Sequence, residues 1–70
     1  MSDPDPFESA YWAARGRARL TSTGDLLRTE ARLRRDHDRL GADELTQWAA
    51  VRSVLAERDI ELPPIPDPAA

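Results

Sequence analysis

The sequence predicts an all-α fold: a three-helix open bundle, or a helical hairpin with a packing N-terminal helix, followed by an extended Pro-rich C-terminal tail. Three observations predict it. Apolar residues recur at helical spacing in three separate segments. Each segment is bounded by capping or breaking residues. No alternating β-branched run or hairpin dipeptide occurs anywhere in the chain.

The first helix is expected over about residues 6–20, behind a cap segment at 1–5. Asp5 suits the N-cap, Pro6 the first helical position, and Glu8 the acidic position of a capping box. At 100° per residue Phe7, Ala10, Tyr11, Ala14 and Ala18 fall on one narrow face, where the small residues let another helix approach. Thr21-Ser22-Thr23-Gly24 then supplies loop and cap chemistry.

The second helix is expected over about 24–40, capped by Ser22 or Thr23 and closed by Gly41 in a left-handed conformation. Leu26, Leu33 and Leu40 repeat every seven residues, with Glu30 and His37 between them on the same seam. That 4-3-4-3 spacing is the pattern of a helix paired with another helix. The third helix is expected over about 43–59. Leu45, Trp48, Ala49, Val51, Leu55 and Ala56 give it a broad apolar face, interrupted by Arg52. Residues 6–60 thus form a single helical domain. The tail, 61–70, holds Pro63, Pro64, Pro66 and Pro68 and cannot be helical. Two roles are open to it: a strap laying Leu62 and Ile65 over the helices, or an extended ligand for a partner groove. The strap is preferred, because small domains recruit every apolar residue they have.

Seventy residues allow one domain at most, and no cysteine is present to add a disulfide. With so few large apolar side chains, self-association or docking on a partner is expected. The longest apolar run falls far short of a membrane span. The N-terminus is acidic where a signal peptide is basic, so a cytoplasmic location is expected. All ten basic residues are arginine, which with the many alanines suggests a GC-rich bacterial genome.

Net charge is −3 but unevenly placed. Residues 15–39 carry eight arginines against Asp25, Glu30, Asp36 and Asp38, while the remainder is strongly acidic. Such asymmetry marks a contact with nucleic acid or acidic protein. Arg28, Arg32, Arg35 and Arg39 form a stripe opposite the leucine seam, and Arg15, Arg17 and Arg19 extend it. Arginine geometry suits phosphate. The same side chains also have acidic neighbours at i,i+3 and i,i+4: Arg32 and Arg39 with Asp36, Arg34 with Glu30 or Asp38. A face laced in that way is ordinarily just solvated.

Trp12 falls off the packing face, on the side shared by Glu8, Arg15 and Arg19. Tryptophan and arginine together are what binding hot spots are enriched in, although stacking on an arginine would also account for the ring. Trp48 belongs to the core. Glu30, His37 and Arg52 each interrupt an apolar stripe, and an unpaired buried charge is costly. Arg52 is therefore expected to answer Glu30 and fix helix register. His37 is the only histidine, and it has no ligand-type neighbour at i±3 or i±4. No metal, cofactor or catalytic set is expected.

These readings converge on a small non-catalytic adaptor, regulator or assembly factor that binds a protein partner, itself, or both. Trp12, Arg15, Arg19, Arg28, Arg32, Arg35 and Arg39 are its candidate contact residues. The competing reading is a nucleic-acid-binding accessory protein using the same arginines.

Overall fold

The computed structural model describes residues 6–65, with side chains from Glu8 onward. The proposed N-cap Asp5, the side chain of Phe7 and the tail beyond Ile65 lie outside the described residues. Three helices occur in order: α1 (Pro6–Arg19), α2 (Thr23–Arg35) and α3 (Ala42–Glu57), with a 3-10 turn at His37–Arg39 between the last two. No strand is present among the described residues. The fold is the expected all-α three-helix open bundle.

Helix α2 starts where Ser22 accepts a hydrogen bond from the Asp25 amide (3.3 Å), which satisfies one of the free donors of the first turn. It ends five residues earlier than the leucine repeat suggests. Asp36-His37-Asp38 has poor helix propensity, and aspartate competes for nearby backbone groups. The chain accordingly tightens into the 3-10 turn, and the Nδ1–H tautomer of His37 donates to the Arg34 carbonyl (3.0 Å). Leu26, Glu30 and Leu33 are buried as the seam requires, whereas His37 and Leu40 leave it and are half-buried. Gly41 is not a left-handed cap either. Its φ is −77° and ψ 176°, extended backbone that leads directly into α3.

The left-handed residue lies instead at the end of α3, at Asp59 (φ 60°). The Ile60 amide donates to the Leu55 carbonyl and the Asp59 amide to that of Ala56 (both 3.1 Å). This is a Schellman arrangement, and Ile60 packs on the cluster containing Leu55 as such motifs favour. The chain reverses there and sends the tail back along the bundle.

Helix α3 is the central element. Both α1 and α2 pack on it and barely touch one another. Its buried residues therefore form two arcs rather than one stripe. At 100° per residue Thr46, Ala50 and Val54 fall on one arc, and Trp48, Val51 and Leu55 on the next. Leu45, Ala49 and Ala56 of the expected apolar face are exposed, because that face assumed a single partner helix. On α1, Ala14 and Ala18 are buried against α3, while Ala10 is exposed and Tyr11 half-buried.

The three helices converge at one end on a core of Ala18, Leu26, Val51, Val54 and Leu55, sealed by Ile60 and Leu62. Arg58 locks that end. Its guanidinium donates to the carbonyls of Arg19 (3.2 Å) and Thr21 (3.1 Å) and to the Thr23 hydroxyl (2.9 Å). It thus satisfies free carbonyls at the end of α1 and holds the start of α2 in the same grip. With Arg19 beside Glu57 and Ala10 beside Asp43, α1 and α3 run in the same direction. Helix α2 runs against both.

A non-glycine residue in the left-handed region is strained, aspartate less than most. Asp59→Gly is expected to raise stability by about 0.5–1 kcal/mol. Thermal melting followed by circular dichroism checks this, and a lowered Tm would show that the aspartate side chain itself stabilises the turn.

Candidate interaction surfaces

Among the described residues the most deeply buried charge is Glu30, 1% exposed in the middle of α2. Arg52 of α3 donates from Nη1 to Glu30 Oε1 at 2.7 Å, a short charge-assisted bond. The Trp48 indole N–H reaches the same oxygen at 3.4 Å, a weaker contact. Arg34, one turn along α2, sets Nη1 3.3 Å from Glu30 Oε2 without hydrogen-bond alignment, so it acts there as a neighbouring positive charge. The guanidinium of Arg52 also lies 6.0 Å from the centre of the Trp48 ring. Arg52 and Glu30 are thus brought together, while His37 is not part of the cluster.

The other Arg52 nitrogen donates to the Pro63 carbonyl at 2.8 Å. One guanidinium therefore spans the buried carboxylate and the returning tail. Leu62 packs on the core and Pro63 is held, but Ile65 is 55% exposed. The described tail is a strap at Leu62 and Pro63, and is more exposed than covered at Ile65.

A second arrangement is built on α1. Trp12 is 53% exposed. The Tyr11 ring meets it edge-on, with centroids 5.4 Å apart, and the Arg15 guanidinium lies 5.1 Å from its ring centre. Arg15 is in turn ion-paired with Glu57 of α3, which Arg19 also approaches at 3.2 Å. The spacing of Trp12 and Arg15 is visible in the sequence, but the anchor Glu57, 42 residues from Arg15 in the chain, is not. The ring is therefore exposed yet held in place.

The third surface is the outer face of α2. Arg28, Arg32, Arg35 and Arg39 are all exposed. Arg28 pairs with Asp25, and Arg35 lies 4.0 Å from Asp36. Arg32 and Arg39 make no ion pair among the described residues, and the early end of α2 takes Arg39 off the helical stripe. Of the neighbour pairs suggested by spacing, only Arg34 with Glu30 forms. Among the described residues no three His, Cys, Asp or Glu side chains cluster as a metal site, and no helix is long and apolar enough to cross a membrane.

Sequence reading passed over two features. One is Arg58, whose only signal was a positive charge at a helix C-terminus. The other is a groove between α1 and α2, floored by Gln47 and Val51 of α3, left open because α1 and α2 each pack on α3 and barely on one another. No protein-family model, curated protein or solved structure matches the chain.

Removing one partner of a buried ion pair typically costs about 3–5 kcal/mol, whereas replacing both with apolar residues is often near neutral. Arg52→Met is therefore expected to destabilise strongly and to speed proteolytic clipping at the tail. Glu30→Met with Arg52→Met should recover most of the stability but not the tail's protection, because the Pro63 bond is still lost. A double-mutant cycle by urea unfolding, with limited proteolysis of the same variants, checks both parts.

Proposed function

We propose that this chain is a small non-catalytic helical adaptor, regulator or assembly factor that acts in the bacterial cytoplasm through protein–protein contacts. One observation supports the reading above the others: an exposed tryptophan held in a fixed orientation. Tyr11 meets one edge of Trp12, Arg15 stacks on its face, and Glu57 anchors Arg15. A surface ring held this way loses little freedom on binding, which is the condition under which an aromatic anchor contributes most to affinity. Arg19 at the rim adds positive charge, so an acidic protein surface is the favoured partner. The non-catalytic part of the reading rests on composition, with no cysteine and a single histidine.

Site-specific photo-crosslinking tests the contact in the cells that make the protein. A crosslinking amino acid in place of Trp12 is expected to give an adduct of discrete mass with another protein, and the same group at Glu61 to give none. Adducts with nucleic acid alone, or no adduct at position 12, would overturn the reading.

Arg32 and Arg39, which pair with no described residue, support a second reading, contact with a nucleic-acid backbone. If it holds, binding to generic duplex should weaken linearly in log–log plots against salt. Arg32→Ala with Arg39→Ala should then lower that slope by about 0.9 for each phosphate contact removed. No binding at low salt excludes it.

A further inference from the structure

We propose that the groove along α1 and the start of α3 receives a second copy of this chain, forming a two-fold dimer in which Arg17 of each protomer meets Asp43 and Glu44 of the other. The inference rests on the reading of the chain as a protein-binding module and names one occupant of a surface distinct from Trp12.

The groove consists of two adjoining cavities. The wider, about 310 Å³, runs from Ala10, Asp43 and Glu44 to Arg17 and Gln47. The narrower, about 110 Å³, continues over Ala18, Leu26 and Val51 and shares Ala14, Arg17 and Gln47 with the first. The edge of α1 beside it carries Ala10, Ala13 and Arg17 at i, i+3 and i+7, so these residues project on one side of the helix, and Leu20 follows in the turn just after its end. All four are exposed, and Leu20 reaches 91%. No described residue covers that edge.

Charge selects the occupant. Arg17, Asp43 and Glu44 make no ion pair among the described residues, although they line the same cavity. The acids lie at the first turn of α3 beside Ala10, and Arg17 lies two turns further along α1. A uniformly acidic or basic partner would satisfy one sign and oppose the other. A two-fold axis near Ala14 reverses the groove's direction and lays each sign over its opposite, twice. Self-complementarity of this kind is what an isologous interface requires. The small exposed side chains of Ala10 and Ala13 let the two α1 helices come close, and Leu20 of each protomer is covered at the ends.

Sedimentation equilibrium of the full chain over a concentration series tests the proposal. A dimer is expected, dissociating more readily as salt rises. Arg17→Glu should weaken it by at least about tenfold in Kd, the scale set by coupling between close interfacial charges. Arg17→Glu combined with Asp43→Arg and Glu44→Arg should restore it. Leu20→Asp, at a side chain the protomer leaves exposed, should also weaken the dimer without lowering the melting temperature at low concentration. A monomer at every concentration overturns the proposal, as does a dimer indifferent to both Arg17→Glu and Leu20→Asp. A monomer that still crosslinks another protein through position 12 refutes the dimer and leaves the protein-binding function standing.

Discussion

A carboxylate that is 1% exposed cannot be left without partners, and the position of Glu30 on α2 constrains much of the molecule. Desolvating the charge is compensated only if donors converge on it. Both hydrogen-bond donors come from α3, Arg52 and Trp48, so the two helices must meet in the register that brings positions 30, 48 and 52 together. Sliding α2 by one residue would turn Glu30 by about 100° and strand the charge. Leucine packing alone has no comparable penalty, since Leu26 and Leu33 would find apolar neighbours in several registers. The polar contact supplies discrimination that the thin apolar core does not.

The same guanidinium carries the constraint into the tail. Arg52 divides its donors between Glu30 and the Pro63 carbonyl, so the strap is seated by the ion pair that fixes the helices. Proline makes this natural. It lacks an N–H but keeps its carbonyl, and its fixed φ holds the segment extended so that the carbonyl meets a donor at little entropic cost. The Schellman turn at Asp59 aims the chain toward Arg52, and Leu62 completes the hydrophobic seal on the way. Register, tail position and core closure are thus coupled through one side chain.

Much of this was legible in the sequence, where local chemistry decides. Ser22 and the apolar periodicity located the helices, and the placing of Glu30 and Arg52 in apolar stripes pointed to their pairing. The reading failed where a longer pattern competed with local propensity. The leucine repeat carried α2 to Leu40, but Asp36-His37-Asp38 ended it first and took His37 out of the seam. It failed again where burial depends on the number of partners. A single-stripe view of α3 chose Leu45, Ala49 and Ala56, whereas contact with two helices buries Thr46, Ala50 and Val54. Contacts such as Arg15 with Glu57, or Arg58 with Thr21 and Thr23, join distant parts of the chain and leave no spacing to read.

The scarcity of contact between α1 and α2 also determines what the surfaces can do together. Because Arg58 closes one end and α1 and α2 lean only on α3, helix α1 is embraced on one side and free along two edges. Trp12 and Arg17 project from those edges about 140° apart at 100° per residue. A partner on Trp12 and a second copy in the groove would therefore not compete for the same area. In the proposed dimer, two Trp12 sites would be carried on a fixed frame at a set separation. Binding at one would then raise the effective concentration at the other for any partner that presents two acidic docking points. A protomer too small to hold a large interface can gain affinity in this way without enlarging its core, and that favours an exposed and orientated tryptophan over a buried one.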